Sequence, residues 1–204
     1  MTMTEPFPVR GRWNGNVLFT AEISVTPDMA PSRKLGLAVE WAMENNVSLS
    51  DADLHDADMS GLNLQGADMR DADLSGANIS QADMHYADMR DADMRNANLR
   101  GAGLFFADMH GADMIQADMT SADMGFANMR GANMYGANMR GADMRNANMS
   151  NADMRDADMR GANMRCANMR DADMRGANMG CADMAGADLS GANIRGANMC
   201  GCLT

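Results

Sequence analysis

From Val47 to Gly201 apolar residues come in pairs: an Ala, one polar residue, a long aliphatic side chain, then two variable residues before the next Ala. Steps of five from Leu49 to Met199 give 31 central residues with no insertion or deletion, 22 of them Met and the rest Leu or Ile. Only Val47 and Leu62 replace Ala at the first position, and only Ser48 and Gly103 replace Asp or Asn at the second. Arg is frequent at the fourth position and Gly at the fifth. A period of five matches neither the helical nor the strand repeat. A short extended piece points the Ala and the central residue to one side and the acid or amide between them to the other. The last two residues must then turn the chain, which suits Gly at the fifth position and Asp or Asn at the second. Four such turns close a square coil, and exact self-similarity of this kind marks a solenoid.

The first 46 residues have no such period. Residues 1–8 read as a loose lead with two prolines. Residues 9–25 read as a β-hairpin, Val9 to Trp13 and Asn16 to Val25 around an Asn14-Gly15 turn. After Thr26 to Pro31 breaks the strand, a helix is predicted over 32–45, with Ser32 as N-cap and Leu35, Ala38, Val39, Ala42 and Met43 at helical spacing. A solenoid exposes its terminal apolar layer unless something covers it. Residues 1–46 are therefore read as an N-terminal cap with Trp13, Phe19 and Trp41 in its core. Residues 47–201 form the array and 202–204 a short tail.

Blocks such as Ala142-Asp143-Met144-Arg145-Asn146 and Ala157-Asp158-Met159-Arg160-Gly161 resemble those of the pentapeptide-repeat proteins, over about three quarters of the chain. The resemblance implies an all-β solenoid, a right-handed, four-sided β-helix with four pentapeptides per coil and the Ala and central residues facing inward. It implies about eight coils here, and a rod roughly 35 to 40 Å long at the inter-strand spacing of sheets. The chain departs from the family in one respect: its central residue is mostly Met where the family has mostly Leu or Phe.

Charge is unevenly placed. The chain carries −11 in all; residues 47–124 hold 15 Asp against four Arg, and residues 125–204 hold eight Asp against nine Arg. That balance argues against direct nucleic-acid binding. Glu5 and two prolines stand where a signal peptide needs an apolar run, and no stretch is long and apolar enough to span a membrane. A cytoplasmic location is expected.

A twenty-residue coil stacks side chains twenty apart. Asp53, Asp73, Asp93 and Asp113 form one ladder, readable as turn chemistry or as an acidic strip imitating DNA phosphates. Arg155, Arg175 and Arg195 form a second, expected to be neutralised by neighbouring Asp. Tyr86, Phe106 and Phe126, with Phe105 beside them, form an outward-facing aromatic column, readable as rings stacked between coils or as a contact surface. The Met residues, soft enough for Cu(I), occupy the core position and read as flexible filler. Cys166, Cys181, Cys200 and Cys202 lie toward the C-terminus without a Cys-x-x-Cys pair and read as free thiols. His55, His85 and His110 fall on different faces. No metal, cofactor or catalytic set is expected, and the chain reads as a non-enzyme.

The function expected is a structural or interaction module, an acidic rod binding a protein partner. The C-terminal end, with Ala197, Met199 and Leu203, is expected to be uncovered and to pair with a second copy. The resemblance implies such an end-to-end homodimer, seen in the family's quinolone-resistance branch. It also implies the alternative reading, a DNA mimic that inhibits or protects a DNA-handling enzyme such as DNA gyrase. Against that stand the nine C-terminal Arg and the lack of any loop interrupting the repeats.

Overall fold

The structure, a computed structural model, describes residues 2–203. Its elements in order are strand β1 (Met3–Arg10), strand β2 (Val17–Val25), helix α1 (Pro31–Glu44) and then the coiled array.

Parallel bridges link each second-position residue to the one twenty further on, from Asp53↔Asp73 to Asp183↔Leu203. The array is thus a right-handed, four-sided β-helix with four pentapeptides per coil. We name its faces by their first central residues: the Leu49, Leu54, Met59 and Leu64 faces.

One backbone scheme repeats throughout. The central amide donates to the second-position carbonyl of the next coil, as Met134 N–H does to Asp153 at 2.7 Å. The second-position amide donates back to the Ala of the previous coil, as in Asp153 to Ala132 at 3.0 Å. The Ala amide closes the corner onto the central carbonyl three residues earlier. Every fifth residue from Asn46 to Gly201 is left-handed, with φ between 55° and 74°. The Gly at many of these sites therefore answers a real backbone demand. The interior is Ala and Met, Leu or Ile, almost all fully buried as far as Met184. Each large side chain contributes on the order of 1.5–3 kcal/mol.

The N-terminal elements differ from the sequence reading in three ways. Residues 3–8 are not a loose lead but most of β1, paired from Met3↔Val25 onward; Met1 lies outside the described residues. Pro6 and Pro8 are two apart and share one phase of the ladder, so neither amide is needed for pairing. Next, β1 stops at Arg10 and residues 11–16 form a wider loop, with Gly15 at φ +66°. The array claims that stretch: Gly11 pairs antiparallel with Ala52, Arg12 N–H donates to Asp51, and Asp53 N–H donates to Arg10. Helix α1 starts at Pro31 with Ala30 as N-cap and no side-chain cap, because Pro31 itself supplies the helical φ at the first position. Ser32 lies within the first turn, and its carbonyl receives the Asp58 amide.

Phe7, Val9, Phe19, Ala21, Ile23 and Val25 of the hairpin and Ala38, Val39 and Ala42 of the helix join the array in one apolar core. Gly36 lets α1 lie directly on the first coil: a Cβ there would stand 1.9 Å from the Asp58 carbonyl oxygen. Phe19 and Trp41 stack at 6.1 Å on the flank of this core. Trp13, expected beside them, is instead 71% exposed and donates its indole N–H to Asp51.

At the far end the coil continues past Gly201. Cys202 takes the Ala position, and Leu203 takes the second position, paired to Asp183. Thr204 lies outside the described residues.

Candidate interaction surface

Second-position Asp and Asn residues serve their own corners first. Their Oδ1 accepts the amide two residues on, as Asp153 does from Arg155 at 3.1 Å and Asn128 from Arg130 at 3.3 Å. Where Asp is followed by a fourth-position Arg, the guanidinium folds back onto the same carboxylate. Arg70 on Asp68, Arg90 on Asp88, Arg155 on Asp153 and Arg175 on Asp173 all do so, with contacts of 2.6–2.9 Å. After a second-position Asn, three Arg reach one coil further, Arg100 to Asp118, Arg165 to Asp183 and Arg170 to Asp188. These bonds hold the Asp68 carboxyl down at about 2, with the Arg70 hydrogen bond as the main cause. Arg195, the third rung of the basic ladder, has no ion-pair partner among the described residues.

The Asp53, Asp73, Asp93 and Asp113 ladder lies in register on the Leu54 face. Asp53 bonds His55, which raises the imidazole above its ordinary value, chiefly through that hydrogen bond. Asp73 accepts from the Ser75 hydroxyl at 2.6 Å. Asp93 is buried; burial pushes its carboxyl up, but Arg95 bonds and the Arg12 charge outweigh that and leave it lowered. Asp113 lies 3.9 Å from Arg95 and accepts the Ile115 amide. The strip is acidic in composition but partly neutralised side by side.

Tyr86, Phe106 and Phe126 stack along the corner between the Leu64 and Leu49 faces, with centroids 5.5 and 5.1 Å apart, and are 58, 46 and 45% exposed. Phe105 meets Phe106 and Phe126 edge-on at 4.7 and 5.4 Å. All three column residues are left-handed, at φ 62°, 60° and 58°. Such a backbone costs roughly 1–2 kcal/mol per residue. Two stacks return about 0.5–1.5 kcal/mol each. The column thus adds little stability while leaving three rings in water.

Beside it lies a feature that the sequence reading did not assemble. Gly103 is the array's one second-position Gly, and a Cβ there would meet the His85 ring at 2.7 Å. At Gly125 a Cβ would meet the Phe105 ring at 2.9 Å. The two glycines therefore make room for the His85 and Phe105 rings, which stand 6.3 Å apart and tilted 56° to each other on the Leu64 face. Asp83, Gly103 and Asp123 follow one another along that face, and the His85 ring takes the space of the missing side chain between the two carboxylates. Asp83 bonds His85, which lowers its carboxyl. Asp123 is exposed and has no ion-pair partner among the described residues. The signal was present in the sequence: two glycines at positions where the array otherwise prefers side chains.

At the C-terminal end the last coil is partly open. Ala197 and Met199 are half-buried, Ile194 is exposed, and Leu203 is 63% exposed. The amides of Leu189, Gly191, Ile194, Gly196, Met199 and Gly201 find no backbone acceptor among the described residues, unlike their equivalents one coil earlier. All four cysteines are free thiols; Cys202 donates to the Met179 carbonyl at 2.9 Å. The three His lie on three faces, and no group of three or more His, Cys, Asp or Glu among the described residues is placed to hold a metal ion. Among those residues no helix is long and apolar enough to cross a membrane.

Comparison with known proteins bears on the repeat array. Three of the similar solved structures are pentapeptide repeat proteins or bear on resistance. HetL, from the cyanobacterium Nostoc sp. strain PCC 7120 and involved in heterocyst differentiation regulation, is 26% identical over 74% of this chain and 80% of its own, with a TM-score of 0.47. A protein of the Arabidopsis thaliana thylakoid lumen is 33% identical over 57% of this chain and 70% of its own, with a TM-score of 0.35. QnrB1, a plasmid-mediated fluoroquinolone resistance protein, is 19% identical over 71% of this chain and 77% of its own, with a TM-score of 0.46. No curated protein matches the sequence. The model of the family described as pentapeptide repeats matches in eight copies, over residues 48–85, 63–101, 97–136, 127–165 and 167–203. With the register of the coil and its Ala and Met interior, that match over most of the chain makes this protein a member of the pentapeptide-repeat family.

Proposed function

We propose that the protein is a non-enzymatic, cytoplasmic interaction module: a stiff β-helical rod that presents the Tyr86/Phe106/Phe126 column, with Phe105, to a protein partner. Pentapeptide-repeat proteins are in general structural or interaction modules. The observation that carries the reading is the column itself, three exposed rings on a backbone that disfavours them. Asn occupies the same fifth position at Asn96, Asn146 and Asn151 with the same φ, so Tyr86, Phe106 and Phe126 can each be changed to Asn without backbone strain. Quantitative affinity capture from the native host should recover a partner with wild type and lose it with this triple variant. Equal recovery by both proteins would remove the column from the interaction.

The open C-terminal coil supports a second element of the proposal, pairing of two rods end to end through Ala197, Met199 and Leu203. Light scattering should give a dimer at micromolar concentration; a monomer would exclude it.

A second reading, DNA mimicry toward an enzyme such as DNA gyrase, has in its favour the 15 Asp against four Arg in residues 47–124. The discriminating experiment is a gyrase supercoiling assay with and without a fluoroquinolone, comparing wild type with Asp53, Asp73, Asp93 and Asp113 all changed to Asn. An effect that vanishes in the variant supports mimicry; no effect at micromolar protein leaves the scaffold reading alone.

A further inference from the structure

Away from the aromatic column, we infer that the N-terminal hairpin carries a strand-addition site: the outer edge of β2 takes up an extended, basic segment of a protein partner, laid between β2 and α1. The two edges of the hairpin are built differently. Pro6 and Pro8 stand opposite Glu22 and Thr20. Those pairs exchange no ladder bonds, so the outward phase of β1 includes two residues without an N–H, which blocks pairing of a further strand there. On β2 the same phase turns the N–H and C=O groups of Thr20, Glu22 and Ser24 outward, and nothing else among the described residues bonds them. All three residues are exposed.

Beside that edge runs a groove against α1. Leu37 and Trp41, both half-buried, form its floor, and Trp41 is held by its stack on Phe19 at 6.1 Å. Glu22 of β2 and Glu40 and Glu44 of α1 rim it, all three exposed and without an ion-pair partner among the described residues. The four cations of residues 1–46 are engaged elsewhere. Lys34, one turn before Leu37, bonds Glu5 at 2.7 Å, and the Arg33 charge bears on Asp58. Arg10 holds the Gly15 carbonyl and Arg12 reaches Asp93. The groove therefore joins unpaired backbone, an apolar floor and a negative rim, which favours a cationic strand over an acidic one. An added strand sets alternate side chains over Leu37 and Trp41 and the others beside Thr20, Glu22 and Ser24. Apolar residues alternating with Lys or Arg suit that arrangement. A second copy does not, because two β2 edges paired about Glu22 set like charges opposite each other.

The experiment follows the isotope-labelled whole protein by amide NMR and hydrogen exchange. The probes are a synthetic peptide of about seven residues alternating Val and Lys, its Val-Glu counterpart, and two forms of the Val-Lys peptide N-methylated on alternate amides in opposite phases. The Val-Lys peptide should slow exchange at the Thr20, Glu22 and Ser24 amides by about tenfold or more and leave array amides such as that of Asp153 unchanged. One N-methylated form should keep binding and the other lose it, because only alternate amides of an added strand face β2. Binding should weaken with salt, and by roughly five- to tenfold in a variant carrying Glu22→Gln, Glu40→Gln and Glu44→Gln. Equal protection by the Val-Glu peptide would overturn the charge assignment and the inference with it. Equal binding by both N-methylated forms would mean surface attraction without strand addition and overturn it as well. Protection that rises with protein concentration in the absence of peptide would assign the edge to a second copy instead. No protection by any peptide at millimolar concentration would exclude the site. None of these outcomes touches partner capture through Tyr86, Phe106 and Phe126, which the Asn variant tests separately.

Discussion

Arg12, in the loop between β1 and β2, places its guanidinium 3.6 Å from the Asp93 carboxylate in the third coil. Its amide donates to Asp51 in the first coil, and its side chain donates to the Asp71 and Ala72 carbonyls in the second. One residue thus ties three coils to the N-terminal hairpin. Arg12→Ala keeps the amide bond to Asp51 but removes the guanidinium bonds to Asp71 and Ala72 and the Asp93 contact, leaving a buried carboxylate with only Arg95. A loss of about 1–3 kcal/mol is expected in chemical denaturation. Unchanged stability would mean that the loop merely rests on the array.

Gly36→Ala should be worse than an ordinary helix substitution. Ala favours the helix by roughly 1 kcal/mol, but its Cβ would overlap the Asp58 carbonyl, a backbone atom fixed by the coil. A net loss of about 1–3 kcal/mol follows, read as a lower melting temperature. Stabilisation by this change would show that α1 can shift off the first coil.

Acid should destabilise the rod late. Asp58, Asp68, Asp88, Asp153, Asp158 and Asp173 all have lowered carboxyl values from bonds with their own turns or Arg neighbours. A group lowered on folding contributes stability above its unfolded value, near 3.8, and loses it as pH falls through the folded value, near 2 for Asp68. Melting temperature should therefore hold down to about pH 4 and fall between there and pH 2. A decline already complete at pH 5 would contradict this assignment.

The core methionines should resist oxidation while the protein is folded. Met134, Met139 and Met144 are fully buried, whereas Met3 is exposed on β1. Mild peroxide followed by peptide mapping should find sulfoxide at Met3 well before any of the three. Replacing those three by Leu should keep the fold and change stability by less than about 1.5 kcal/mol per site, with any gain reflecting the lower side-chain entropy of Leu. Early oxidation throughout the core would mean that coils open readily.

What the sequence made legible follows its periodicity. Ala132 and Met134 are buried because the spacing puts them on one side of a short extended piece, and Gly131 is left-handed because the corner requires it. The aromatic column could likewise be placed by counting to twenty. Contacts between the aperiodic segment and the array could not. The Asn14-Gly15 pair reads as a tight turn, but pairing of Gly11 with Ala52 opened it. Trp13 reads as core by its size, but it lies on the surface beside Arg12, with the guanidinium 4.4 Å over its ring. The seat of the His85 ring was hidden for a related reason: it depends on an absent side chain at Gly103, which only the stacked coil sets between Asp83 and Asp123.

The left-handed corner at every fifth residue has a consequence for how such a surface changes. Removing twenty residues from the array would shorten the rod and keep every later side chain on its face. Removing five would preserve the Ala and Met interior equally well, yet turn everything downstream by a quarter rotation. Cut between Gly61 and Gly66, such a deletion would carry the Tyr86, Phe106 and Phe126 rings to another edge relative to the hairpin and helix. Surface features on this scaffold can thus be re-aimed in discrete steps with the core unaltered, as markings move when one segment of a stacked column is twisted.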